Sequence, residues 1–322
     1  MILAAVDLGA RNIGSPGLWA AFLCAVLLLL AFDLRITALR SEPSGFREAL
    51  GWSVFWILLS VGFGGWVWNH YGGEQGLEFF AGYLLEKSLS VDNLFVFVLL
   101  FRSFAVPAQH QHRVLFWGVL GALLLRGTLI LTGVALVHHY HWIIAVFGAF
   151  IVFTSLKLFF HDDALEDRVP TDNPVVRWVR AHVPVTASID GPEFFLRREG
   201  RLFATPLFLA VIAAETADLV FALDSIPAVF AVTDDSFLVF SSNICALLGL
   251  RALYFVVRGG LEKLRYLKPG LAAILAFVGL KMVLFKFVHL PTGSSILIIA
   301  GILGIALLVS WIKGPPPESA PE

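Results

Sequence analysis

The sequence predicts an all-α polytopic membrane protein of about nine transmembrane helices that contains an inverted three-helix repeat. Three observations lead there. Of the 322 residues, 58% are hydrophobic and only 15% charged, and the apolar residues fall in blocks near the ~20 residues needed to cross a bilayer. Lys and Arg collect in alternate connections between those blocks. Polar landmarks in one trio of blocks return in a later trio at nearly constant separation.

The first apolar run, Pro16 to Leu34, follows Asp7 and Arg11 and lacks a basic n-region with a small-residue cleavage site, so it reads as a retained first helix. Ala49 to Asn69 is the second, with a Gly- and Phe-rich stretch at Val61 to Trp66 suited to close packing and lipid contact. Leu77 to Phe101 is the third, and Gly82 would let a neighbour approach it closely. Val114 to Val137 and Trp142 to Phe160 follow. Beyond the polar connection come Thr205 to Val232, Ser236 to Val257, Pro269 to Phe287 and Ser294 to Ile312. Pro227 removes an amide donor and clashes with the carbonyl of Leu223, which predicts a kink beside Asp224.

Arg35, Arg40 and Arg47, then Arg102 and Arg113, then six arginines between Arg168 and Arg201, then Arg258, Lys263, Arg265 and Lys268, and finally Lys313 fall on one side. The other side has Arg11. The positive-inside rule therefore puts the N-terminus outside and the Pro315 to Pro317 tail in the cytoplasm. The connection from Asp162 to Arg201 mixes charges and prolines and reads as a solvated cytoplasmic linker; Val175 to Val183 is the one piece that could form a short interfacial helix. The chain divides accordingly into 1–76 (two N-terminal helices), 77–160 (first repeat), 161–204 (cytoplasmic loop), 205–287 (second repeat) and 288–322 (final helix and tail).

The repeat rests on three matches. Val-Asp92-Asn-Leu-Phe parallels Ala-Asp218-Leu-Val-Phe, the run ending at Arg126 parallels the run ending at Arg251, and Phe153 to Lys157 parallels Phe277 to Lys281. A unit of three helices is odd, so its second copy must enter the membrane from the opposite side, and transporters built this way hold substrate near the midplane.

Five acids lie deep in the two matching helices: Glu86 and Asp92 in the first, and Glu215, Asp218 and Asp224 in the second. An ionised group in hydrocarbon costs about 2.5–3.5 kcal/mol on insertion scales, which makes such residues functional candidates. With the Asn93 amide, backbone carbonyls and water they form an all-oxygen donor set suited to Mn²⁺, Mg²⁺ or Ca²⁺. Lys87, Arg126 and Arg251 are the deep bases, and the two arginines are expected to act as fixed partners of acids in the repeat core. Five acids against three bases leave an excess that a divalent cation, or protons in its absence, would neutralise. Lys157, Lys281 and Lys286 lie near span ends and are expected to snorkel. Asn93 and Asn243 suit either interhelical hydrogen bonding or ligation. The His138-His139-Tyr140-His141 cluster fits either an external metal role or an interfacial belt.

The net charge of −1, without a long basic tract, gives nucleic acid no electrostatic hold. Cys24 and Cys245 stand alone in separate apolar runs, which excludes a thiolate cluster or a disulfide framework. No His-Glu-x-x-His or Gly-x-Ser-x-Gly motif is present, and an enzyme is not expected.

The segments Glu86-Lys-Ser-Leu-Ser-Val-Asp92-Asn93 and Glu215-Thr-Ala-Asp218-Leu-Val-Phe-Ala-Leu-Asp224-Ser-Ile-Pro227-Ala resemble the acidic motifs of the TerC family of integral membrane proteins, most closely its Alx-type members. The likeness runs from Gly51 to Ile312. It implies a manganese exporter of the bacterial inner membrane, in a superfamily of inverted-repeat exporters with a link to tellurium resistance. It also carries the five acids onto the family's motif positions and raises Mn²⁺ above Mg²⁺ and Ca²⁺. The expected partners are Mn²⁺ as transported substrate, H⁺ and the lipid bilayer, with no prosthetic group; a homo-oligomer stays open. The competing expectation is a non-transporting assembly factor or a metal or stress sensor. Export requires the acids to meet in a polar pocket at mid-bilayer with room for one doubly positive ion.

Overall fold

The structure is a computed structural model that describes residues 13–38, 45–140, 142–160, 173–186, 189, 191–198, 200–257, 266–284 and 291–313. Those residues form α1 (Pro16–Ala38), α2 (Phe46–Tyr71), α3 (Gly73–Ser103), α4 (Ala108–His139), α5 (Ile143–Phe160), α6 (Pro174–His182), β1 (Phe195–Arg198), β2 (Arg201–Ala204), α7 (Pro206–Phe230), α8 (Ser236–Leu247), α9 (Leu250–Val257), α10 (Leu267–Val283) and α11 (Thr292–Lys313).

Among the described residues, six stretches are long and apolar enough to cross a membrane: Pro16–Asp33, Phe46–Tyr71, Ala108–Gly133, Pro206–Phe230, Ser236–Val256 and Thr292–Lys313. The chain is an all-α membrane protein carrying one small hairpin. Helix α3 is the longest but one, at 31 residues, and its many charged groups set it apart from those six. Two shorter apolar helices, Ala145–Leu156 and Pro269–Val283, lie within α5 and α10. Leu28, Phe153, Leu297 and Trp311 stand more than 60% exposed, as side chains do where lipid is their solvent.

The span Ser236–Val256 is broken. Gly249, with φ +82, separates α8 from α9, and a side chain there would both strain the backbone and strike Trp56 of α2. Helix α7, by contrast, runs through Pro227 for one more turn and caps at Ala231, because a proline this near the end forfeits few hydrogen bonds.

The central helices pack in related pairs. Thr233, just past α7, donates to Glu78 at the start of α3, and Gly82 faces Val229, so α3 and α7 run antiparallel. Helix α8 runs along α3: Gly82 abuts Ser242, Asn243 bonds Glu86, and Lys87 reaches the Ala246 carbonyl. Helix α4 runs along α7, with Gly121 on Glu215, Arg126 on Asp218 and Gly133 on Phe230. Helices α5 and α10 cross antiparallel through Gly148 and Gly279, where any side chain would press on the opposite backbone carbonyl.

The described part of the connection before α7 holds a helix and a hairpin. Asn173 caps α6 by accepting from the Val175 N–H at 2.8 Å, and Pro174 sits at the first helical position. Val176 and Val179 are buried against α7, each contributing about 1.5 kcal/mol or more, while Arg177, Trp178 and Arg180 remain outside. Strands β1 and β2 then form an antiparallel hairpin, with Phe195 opposite Ala204. Charge and proline content suggest a plain linker; the spacing of two valines and an Asn-Pro start override it.

Candidate functional site

Helix α3 carries Glu86 and α7 carries Asp218, and antiparallel packing brings them to one level of the bundle. Arg126 of α4 lies between them. Its guanidinium is fully buried and holds Asp218 in a fork, Nε to Oδ2 at 3.1 Å and Nη2 to Oδ1 at 2.7 Å. The Nη1 atom donates to Glu86 Oε1 and stands 3.3 Å from both Ser225 Oγ and Asn243 Oδ1. Asn243 of α8 closes the ring, its Nδ2 donating to Glu86 Oε2 at 3.0 Å. Four helices thus supply one shell. Two carboxylates stripped of water need a cation with matching geometry, and a planar guanidinium provides it.

Where the sequence predicts a polar pocket with room for an ion, the Arg126 side chain stands between Glu86 and Asp218. Asp92, Asn93 and Asp224 sit on the same helices, but their side chains lie outside the described residues. Lys87 donates to the Ala246 carbonyl at 3.1 Å and has no carboxylate partner among the described residues.

Among the described residues, Arg251 forms its ion pair outside the repeat core. Its Nη2 pairs with Asp33 of α1, a residue absent from the sequence-level charge count. The pair joins α1 to α9 through opposite charges. Lys281 does not snorkel: it donates to Ser295 of α11 at 3.0 Å. Lys157 and Lys286 lie outside the described residues as side chains, as do His138 and His141.

Glu215 stands apart from the Arg126 shell. It is one turn before Asp218, and its carboxylate rests on Gly121 of α4, where a Cβ would collide with it. Its Oε1 is buried without a hydrogen-bond partner among the described residues. The groove beside it, 730 Å³ between α4, α7 and the hairpin, is lined by Trp117, Leu124, Phe195, Phe208 and Val211, and Glu215 is the one charged lining residue among those described. Reading the sequence missed Ser225 and Gly121; the first adjoins Asp224, and the second is five residues before Arg126. At the far end of α7, Asp235 caps α8 by accepting from Phe237 and Leu238, and also takes the Ile13 N–H at 2.7 Å. Burial pushes its carboxyl above the ordinary value against the pull of those N–H groups.

The model of the integral membrane protein TerC family matches residues 71–315, which contain the whole four-helix shell. The chain belongs to the TerC family. Its relatives extend the match beyond that region. An uncharacterised membrane protein of Myxococcus xanthus is 49% identical over 302 residues, covering 94% of each chain. Proteins of Photorhabdus laumondii and Escherichia coli are each 43% identical over 314 residues, covering 94% of this chain and 97% of theirs; their name, Alx, marks them as candidate membrane-bound redox modulators. No solved structure matches the chain. In this TerC family chain Glu86 and Asp218 meet on Arg126, while Arg251 pairs with Asp33 and Lys87 reaches the Ala246 carbonyl.

Proposed function

We propose that this TerC family protein exports divalent manganese from the cytoplasm across the bacterial inner membrane, by cation/proton exchange at a mid-membrane carboxylate site. One observation carries the reading: acids from two separate helices, Glu86 and Asp218, converge with the Asn243 and Ser225 oxygens on a single position held by a positive charge. Oxygen donors alone suit a hard divalent ion, and the family resemblance selects manganese among such ions. Asp92, Asn93 and Asp224, on the same two helices, complete the proposed donor set.

Nine crossings and an inverted repeat form part of the proposal, with α3, α4 and α5 matched to α7, α8 with α9, and α10. In support, the partners run antiparallel: α3 to α7 through Glu78–Thr233 and Gly82–Val229, α4 to α8 through Gly127–Phe240 and Arg126–Asn243, and α5 to α10 through Gly148 and Gly279. The cross pairs α3 with α8 and α4 with α7 are parallel and exchange under the same matching. The N-terminus then lies outside and the arginine-bearing hairpin in the cytoplasm.

Proteoliposomes holding the purified chain alone provide the test. Mn²⁺ flux that responds to an imposed pH gradient, and disappears in Asp92→Asn and Asp218→Asn variants made at normal levels, is expected; absence of flux from the intact chain overturns export. A second reading, a non-transporting redox or stress sensor, draws on the name of the Alx relatives and on the filled state of the Arg126 shell. It predicts a folded protein that moves no metal.

A further inference from the structure

We propose that Arg126 is a tethered surrogate cation: its guanidinium fills the carboxylate site whenever the transported ion is absent, and Glu215 receives it when the ion arrives. The inference rests on the export reading above and adds to it the identity of the group that competes with substrate.

The acceptors around the guanidinium are all oxygens: Glu86 Oε1, both Asp218 oxygens, Ser225 Oγ and Asn243 Oδ1. That is the donor set a hard divalent ion would take, contributed by α3, α7 and α8 to a group arriving from α4. One position bounded by two carboxylates cannot hold a metal and a guanidinium together, because the two cations would share ligands and repel at contact distance. Occupation must alternate. An empty site with two bare carboxylates in a low-dielectric bundle would be costly, and a cation attached to the protein removes that cost without leaving the membrane.

The displaced arginine needs somewhere to go, and the structure offers a destination. Side chains on a helix lean toward its N-terminus, so Arg126 leans along α4 toward Gly121. Resting on Gly121 is the Glu215 carboxylate, with a buried oxygen that makes no hydrogen bond among the described residues. Glu215 and Asp218 are three residues apart on one face of α7, so a swing of about one turn transfers the guanidinium from one acid to the other. Gly121 keeps that path free of a side chain. In this arrangement Glu215 is a positioning residue, not a ligand of the ion.

Occupancy by Arg126 lowers the apparent affinity in proportion to the time it holds the site; nine-tenths occupancy gives about a tenfold loss. Mn²⁺ binding to the purified full chain in detergent, followed by electron paramagnetic resonance, reads this directly. Arg126→Gln should bind Mn²⁺ about tenfold more tightly or better, and Glu215→Gln should bind it more weakly than the parent. The Glu215→Gln effect should vanish in the Arg126→Gln background, since no arginine remains to be parked. In proteoliposomes without a pH gradient, Arg126→Gln should keep Mn²⁺/Mn²⁺ exchange and lose net efflux, because the empty site can then return neutralised by protons alone. Should Arg126→Gln not fold, Arg126→Lys retains a shorter tethered cation and should show tighter binding with reduced net efflux.

Unchanged or weaker binding in both arginine variants overturns the proposal, as does a Glu215→Gln loss that persists without Arg126, which would make Glu215 a ligand. A parent chain that neither binds nor moves Mn²⁺ removes the export reading and this inference with it. A parent that transports, while the Arg126→Lys variant binds Mn²⁺ with the same affinity as the parent, overturns the tethered cation alone.

Discussion

Arg126 and Arg251 close the same recurring run of small and apolar residues, yet they occupy unlike surroundings. Arg126 is fully buried between Glu86 and Asp218 with Ser225 and Asn243 beside it, where four helices meet. Arg251 reaches outward to Asp33 of α1, in a pair whose side chains are 13% and 14% exposed. The difference teaches that a recurring sequence pattern carries a residue type to a similar place on each helix, while the partner is chosen by what packs next to each copy. The first copy faces the acids of α3 and α7; the second faces an N-terminal helix outside the recurring trios.

The sharpest way to break this comparison is to delete each arginine in turn. Arg126→Ala leaves two buried carboxylates without a cation, and a loss of about 3–5 kcal/mol is expected, seen as a large drop in thermal stability in detergent. Equal stability to the parent would show that the shell is not a charged clamp. Combining Arg126→Leu with Glu86→Gln and Asp218→Asn should recover most of that stability while export stays lost, since the set is replaced by neutral groups that need no counter-ion.

Arg251→Ala should cost less, about 1.5–3 kcal/mol, because its pair with Asp33 is partly exposed and its loss leaves one acid near a helix end. Mn²⁺ binding should remain at the parent value. A change in binding as large as that from altering Arg126 would erase the distinction between the two sites. Gly121→Ala is expected to cost about 1–3 kcal/mol, by driving the Glu215 carboxylate off its seat, and to lower Mn²⁺ flux. Parent-like flux and stability would show that the seat is slack.

The smallest effect belongs to the far end of α7. The Asp235 carboxyl is held above its ordinary value, so between the unfolded and folded values the folded protein binds more protons than the unfolded chain. Stability contributed there is greatest below that window and declines as pH rises through it. Asp235→Asn keeps the cap and removes the titration, so the decline in melting temperature as pH rises through that window should flatten. A steeper dependence in the variant would contradict the assignment.

Much of this was legible from residues alone. Runs of apolar side chains mark the helices because a bilayer admits backbone only when its polar groups bond within the segment. The acids of α3 and α7 announce themselves by their cost in such runs. The helix α6 was less legible, since two valines and a cap form a faint signal within a charged stretch. Asp33 escaped notice because a charge at the last turn of an apolar run looks like an end, not a partner.

By itself, the sequence determined that the chain is a helical membrane protein, which helices carry the acids, and that polar landmarks recur across two trios of apolar runs; these follow from hydropathy and spacing, which are local. Only the tertiary structure decided that Arg126 answers both Glu86 and Asp218, that Arg251 turns to Asp33, and that Glu215 rests on a glycine with no base beside it among the described residues. The reason is physical: which charge neutralises which depends on distances of a few ångströms between helices, and packing alone sets those distances.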